Sequence, residues 1–152
     1  MQPIPIRPAL AADEPAIRAC AEAAYGGYIA TIGRRPAPMD ADFAAQIAAG
    51  QVHVATDATG ALLGYVVFYP EGRHMHLEAV AVTPAAAGKG IGRQLIGFCE
   101  GAAHRSGLGA VHLYTNRKMT ANLSLYPYLG YVEVDRRSED GFDRVYYEKS
   151  VT

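Results

Sequence analysis

The chain has 152 residues, 50% of them hydrophobic and 19% charged, with a formal net charge of −1. That length suits one domain with its own core, expected over residues 1–152, and the near-neutral balance argues against the broad basic surface that nucleic acid or an anionic membrane needs. The two cysteines, Cys20 and Cys99, lie far apart on apolar helical faces, so buried thiols in a reducing compartment are expected. No zinc-type Cys/His spacing is present, and no metal is expected. The start Met-Gln-Pro-Ile-Pro-Ile-Arg lacks a basic region followed by an apolar run, and no apolar stretch reaches bilayer length. The expectation is a soluble cytoplasmic protein.

In chain order, Pro3–Arg7 reads as a short edge strand, because its prolines cannot donate to a central ladder. Asp13 is expected to cap a helix with Pro15 in its first turn and Ile17, Cys20, Ala21, Ala24 and Tyr28 on one face. Residues 28–39, with Gly33, Arg34, Arg35, Pro36 and Pro38, read as loop, followed by a helix over 40–48 that stops at Gly50. Residues 51–56 and 61–69 form a strand pair around Asp57-Ala-Thr-Gly60, and 74–82 is the next strand. The helix after Gly90 carries Ile91, Leu95, Phe98 and Ala102 as one stripe. Gly97 and Gly101 within it each cost roughly 1 kcal/mol against alanine, a cost that close packing on the sheet is expected to offset. A strand over 110–115, a helix over 119–129 containing Pro127, and two strands joined through Asp140-Gly141 complete the chain. The order β-α-α-β-β-β-α-β-α-β-β predicts a mixed α/β sheet with helices on both faces.

The most informative stretch is Leu77 to Leu95: a strand, a loop with Gly88, Gly90 and Gly92, and the start of a helix. Glycines there free backbone N–H groups to converge on an anion, and the helix adds the positive end of its dipole, so a phosphate is the natural occupant.

Two motifs carry a family resemblance: Val80-Ala-Val82-Thr-Pro84 running into Ala85-Ala-Ala-Gly88-Lys-Gly90-Ile-Gly92, and Asn122-Leu-Ser-Leu-Tyr126-Pro-Tyr-Leu-Gly130-Tyr131. At this spacing and in this order of elements the chain resembles the GCN5-related N-acetyltransferase (GNAT) superfamily. The resemblance implies a mostly antiparallel seven-stranded sheet with a splayed parallel strand pair, and acetyl-CoA as cofactor. It implies that N–H groups from Gly88 through Lys89, Gly90, Ile91 and Gly92 to Arg93 bind the diphosphate. It further implies that Val80, Ala81 and Val82 receive the pantetheine arm and that Asn122 and Tyr126 lie near it. Ala85, Ala87 and Met119 depart from the family pattern, which has Gln or Arg, often a basic residue, and Asn at these places.

Acetyl transfer to an amine needs a free-base nucleophile and a proton for the leaving thiolate. With a pKa near 10.4, only about one lysine-type amine in two thousand is free base at neutral pH. Glu78 is the candidate base, since on a strand it shares a face with His76, Val80 and Val82; the alternative is an ion-paired structural carboxylate. Tyr126 is the candidate acid, against the alternative of a core aromatic. His74 and His76, two apart without a third ligand, read as structural rather than as metal ligands or a base. Tyr25, Tyr28, Arg34, Arg35 and Met39 cluster where the resembled fold walls its acceptor pocket, so they are candidate contacts to a small-molecule or peptide amine, or else a solvated loop. Neither cysteine has a visible base, which favours direct transfer in a ternary complex. The competing readings are a catalytically silent acyl-CoA-binding module and a dinucleotide-binding domain. The second is disfavoured because the glycine loop follows the fourth strand and lacks an acidic ribose ligand. The resemblance also admits a homodimer.

Overall fold

A computed structural model describes residues 3–152. The strands are β1 (Ile6–Pro8), β2 (Val52–Thr56), β3 (Leu62–Glu71), β4 (His74–Val82), β5 (Ala110–Asn116), β6 (Val132–Glu139) and β7 (Phe142–Ser150). The α-helices are α1 (Glu14–Tyr25), α2 (Ile29–Ile32), α3 (Phe43–Ala48), α4 (Ile91–Arg105) and α5 (Thr120–Tyr128). The strands form one seven-stranded sheet in the order β1-β2-β3-β4-β5-β7-β6. The β1–β2, β2–β3, β5–β7 and β6–β7 ladders are antiparallel, and β4–β5 is parallel. This is the mixed α/β architecture that the order of elements predicts. The parallel ladder runs from His74↔Ala110 to Leu77↔Leu113, while β4 continues to Val82 and β5 to Asn116.

Contacts divide the chain into two compact units. One runs to Phe68 and takes in Ala79–Phe98; the other comprises Tyr69–Glu78 and Cys99–Thr152. In the first, Ile17, Cys20 and Ala21 of α1 pack with Phe43, Val52, Val54, Tyr65, Val67 and Ala81, the face that the helical spacing marks out. In the second, Val111, Leu113, Tyr126, Tyr131, Val145 and Tyr147 are buried.

Several local expectations are corrected. Asp13 does not cap α1; its carboxylate takes two bonds from Arg7, at 2.8 and 3.0 Å, and the Leu10 N–H at 2.7 Å, closing a 3-10 turn ahead of the helix. The stretch read as loop contains α2, which ends where Gly33 at φ 91° sends its N–H back to the Ile29 carbonyl. The following helix starts later than read, at Phe43, because Asp42 accepts from the Ala45 N–H and so caps it. The buried positions of α4 include Ile91, Leu95, Ile96, Cys99 and Ala103, with Phe98 and Ala102 only half-buried. A Cβ on Gly97 meets nothing within 4 Å, and one on Gly101 meets only the Arg105 side chain, so neither glycine marks close packing on the sheet. The close approach lies at Gly64 of β3, where a Cβ would stand 2.6 Å from the Ala81 carbonyl oxygen and 3.1 Å from Leu95. At the β6–β7 turn, Asp140 (φ 52°) and Gly141 (φ 81°) are both left-handed, the two-residue hairpin geometry that Asp-Gly favours.

Candidate active site

In the first unit, β4 delivers the chain into the glycine loop. The Thr83 N–H bonds the Leu63 carbonyl at 2.9 Å, and a 3-10 turn over Pro84–Ala86 uses the Ala86 and Ala87 N–H groups. Gly88 (φ 79°) and Gly90 (φ 77°) then take left-handed conformations, which other residues adopt only at a cost. The first α4 bond runs from the Gln94 N–H to the Gly90 carbonyl. Among the described residues, the N–H groups of Gly88, Lys89, Gly90, Ile91 and Gly92 therefore donate to no protein acceptor. They are the orphan donors of a helix start and a glycine turn, the arrangement that suits an anion. Lys89 and Arg93 are exposed. Gly92 is less constrained, since a Cβ there would make an ordinary 3.5 Å contact with Val82.

On β4, Ala81 is buried while Val80 and Val82 are half-buried on the alternate face. The Val80 carbonyl accepts a 2.8 Å hydrogen bond from the Tyr25 hydroxyl, a link that spacing along the chain cannot reveal. Of the other proposed acceptor contacts, Arg35 is paired with Glu22 at 2.7 Å and Asp40 at 2.8 Å. Met39 is fully buried in the core, Tyr28 is half-buried and Arg34 is exposed.

In the second unit, Glu78 Oε2 lies 2.7 Å from His76 Nε2 and accepts a 3.4 Å bond from the Tyr69 hydroxyl. The His76 bond does most to hold the Glu78 carboxyl below its ordinary range, against burial and with help from Tyr69 and the Arg144 charge. Burial, with the Glu78 charge behind it, pushes the Tyr69 phenol up to about 12, so it stays a donor. Arg144 lies 4.3 Å from the Tyr114 ring centroid and is paired with Glu139 and Asp140. Tyr69, Tyr114 and Arg144 went unread in the sequence; only the sheet register brings them to Glu78. His74, read as structural, stacks on His112 at 3.7 Å with Glu71 beside it.

Tyr126 on α5 is 5% exposed and meets Tyr131 edge-on at 5.6 Å and Tyr147 at 5.8 Å. Burial raises its phenol above the ordinary range, with a smaller contribution from Cys99. Asn122, one turn earlier, donates to Thr115 Oγ1 at 3.0 Å and sits 3.7 Å from Met119 Sδ. Burial pushes the thiols of Cys20 and Cys99 up to about 11 and about 12, so neither is a nucleophilic thiolate at neutral pH. Among the described residues, no group of three His, Cys, Asp or Glu side chains is placed to hold a metal.

Residues 17–131 match the model of the Acetyltransferase (GNAT) family. A search of curated proteins finds no significant match. Among solved structures, the chain is similar to the PaiA N-acetyltransferase from Thermoplasma acidophilum in complex with coenzyme A, at 19% identity over 98% of this chain and 99% of that one, with a TM-score of 0.79. It is also similar to the ribosomal-protein-S18-alanine N-acetyltransferase from Escherichia coli, at 19% identity over 97% and 94% of the two chains, with a TM-score of 0.76. Nourseothricin acetyltransferase matches at 24% identity over 66% of this chain, with a TM-score of 0.61, and the match spans 65% of that protein's length. At these identities the likeness is one of fold.

Proposed function

The chain belongs to the GNAT acetyltransferase family, and from that premise we propose that it is an acetyl-CoA-dependent N-acetyltransferase acting on a primary amine by direct attack in a ternary complex. The observation that carries this reading is the run of unpartnered N–H groups from Gly88 to Gly92, set by two left-handed glycines at the start of α4. Acetyl-CoA supplies an acetyl group activated as a thioester. Toward it, the loop amides up to Arg93 hold the diphosphate, with Lys89 and Arg93 adding positive charge nearby. The departures at Ala85 and Ala87 matter little here, because the unpartnered amides that would meet the diphosphate begin at Gly88. The backbone of Val80, Ala81 and Val82 receives the pantetheine arm, and Tyr25 steadies that strand through the Val80 carbonyl. Asn122 offers a polar contact from α5.

The amine's proton is taken by Glu78 or by an ordered water. Tyr126 is the donor to the departing sulfur. Its burial keeps the phenol protonated at any working pH, and the same apolar surroundings disfavour a bare thiolate, so the proton passes as charge builds on sulfur. The acceptor is a small-molecule or peptide amine, and Tyr25, Tyr28, Arg34 and Arg35, the last already paired with Glu22 and Asp40, are its candidate contacts. The reading takes residues 1–152 as one acetyltransferase domain working in the cytoplasm, singly or as a homodimer. No described helix is long and apolar enough to cross a membrane.

Calorimetric titration with acetyl-CoA, paired with thiol release in the presence of an amine panel, tests this. Binding together with amine-dependent thiol release is the expected result. Binding without turnover on any amine supports the silent acyl-CoA-binding module instead, and no binding overturns both.

A further inference from the structure

His76 and Glu78 are two apart on β4 and so share one face. Nε2 of His76 lies 2.7 Å from Glu78 Oε2. An ionised carboxylate only accepts, so Nε2 carries the hydrogen and Nδ1 the lone pair. The imidazole is flanked by Tyr69 of β3, with centroids 5.3 Å apart, and Tyr114 of β5, at 5.7 Å, and His76 is 8% exposed. The Tyr69 hydroxyl bonds the same carboxylate oxygen and fixes it from a second side.

On β4, His74 faces Glu71, the last residue of β3, at 3.2 Å. On β5, His112 is the register partner of His76, stacks on His74 and faces Glu148 of β7 at 3.4 Å. On β7, Arg144 adds a positive charge toward Glu78 while pairing with Glu139 and Asp140 at 3.7 and 3.6 Å. A carboxylate held below its ordinary range is a poor match for a proton coming from an ammonium, whereas imidazole is the side chain that ordinarily changes charge near neutrality.

We infer that His76 is the group between the acceptor amine and Glu78, taking the amine's proton on Nδ1, and that Glu78 is its positioning residue. The inference rests on the acetyltransferase reading above. As the amine nitrogen bonds the acetyl carbon, its N–H proton passes to the Nδ1 lone pair. The electron pair of the breaking C–S bond stays with sulfur, which takes the Tyr126 proton. The imidazolium is stabilised by Glu78 across the Nε2–H bond. When product leaves, Nδ1 returns its proton to solvent and Tyr126 regains one.

Two measurements on the full chain test this. Histidine-selective ¹⁵N NMR, without coenzyme or acceptor, is expected to show the neutral His76 ring as the Nε2–H form. Glu78→Gln, whose amide can donate as well as accept, is expected to move the ring toward the Nδ1–H form. An Nδ1–H form in the parent protein, or a tautomer indifferent to Glu78→Gln, overturns the pairing. Because no acetyl-CoA is present, this arm reports on the pair even where the acetyltransferase reading fails by showing no coenzyme binding.

The second arm follows thiol release from acetyl-CoA against pH, with spermidine, an alanine-initiated peptide and a lysine-containing peptide as acceptors. With the acceptor's own ionisation, common to all variants, divided out, His76→Gln is expected to remove the remaining acidic limb of kcat/KM and lower kcat roughly 10²-fold, with KM for acetyl-CoA changing less than about two-fold. Glu78→Gln should keep that limb, with a smaller loss. The reverse pattern, in which Glu78→Gln abolishes the limb and His76→Gln leaves it, makes the carboxylate the base and overturns the inference.

Discussion

The loop between Gly88 and Gly92 and the sheet face around Glu78 are built from different materials. In the loop the available groups are main-chain N–H donors without protein partners, while the Lys89 side chain is solvated and that of Ile91 is buried in the core. Around Glu78 the groups are side chains, and each charge is answered: Glu78 by His76 and Tyr69, Arg144 by Glu139 and Asp140. Unpartnered amides suit a multivalent anion, because they need only a backbone path and hold their positions whatever side chains they carry. Proton handling needs partners, because the partners set where the proton rests. The two regions should therefore fail in opposite ways, the loop through its glycines and the proton site through conservative side-chain changes.

The largest effect is expected at the other side chain assigned a proton, Tyr126 of α5. Tyr126→Phe removes one oxygen and should lower turnover roughly 10²-fold while the acetyl-CoA Kd, by calorimetry, stays within about three-fold. An unchanged kcat would remove the proposed acid.

The loop gives the mirror image. Gly90→Val forces a branched residue to φ 77° and should raise the acetyl-CoA Kd roughly ten-fold or more, with kcat at saturation little changed. Lys89→Ala should cost no more than about three-fold. If Lys89→Ala proves the more damaging, a side chain holds the diphosphate and the contrast collapses.

Gly64→Ala tests the scaffold beneath the loop. A Cβ 2.6 Å from the Ala81 carbonyl oxygen should destabilise the protein by about 1–3 kcal/mol in urea unfolding. Tyr25→Phe sharpens the comparison at the point where a side chain supports the backbone site. Loss of its bond to the Val80 carbonyl should cost about 1 kcal/mol of stability and weaken acetyl-CoA a few-fold.

The smallest effect is a pH dependence. Glu78 is held below its ordinary value near 4.5, so the unfolded chain takes up a proton there first. Its contribution to stability is thus fully present above about pH 4.5 and is lost as pH falls through the lower folded value. Denaturation of the protein and its Glu78→Gln variant should converge across that window; parallel curves would mean the His76 bond stabilises nothing.

Legibility in the sequence follows the same division. The loop could be read because Gly88 and Gly90 occupy conformations that glycine adopts without strain, and the β6–β7 turn could be read from Asp140-Gly141 for the same reason. The element order was readable from periodicity. The partners of Glu78 were only half legible: His76 follows from strand alternation, but Tyr69, Tyr114 and Arg144 come from other strands and depend on register. Gly64 gave no signal, since a glycine between apolar strand residues reads the same whether or not a neighbouring backbone crowds it. Gly97 and Gly101 show the converse, glycines whose spacing suggested a close approach that their surroundings do not contain. Asp13 misled because a nearby arginine competes with the helix end for its carboxylate.

The central claim is that main-chain amides hold the coenzyme's diphosphate. Backbone amide NMR of the full chain during titration with coenzyme A tests it most directly. The account predicts that the Gly88, Lys89, Gly90, Ile91 and Gly92 resonances move together and saturate with the calorimetric Kd. Saturating coenzyme A that leaves those resonances in place would contradict it.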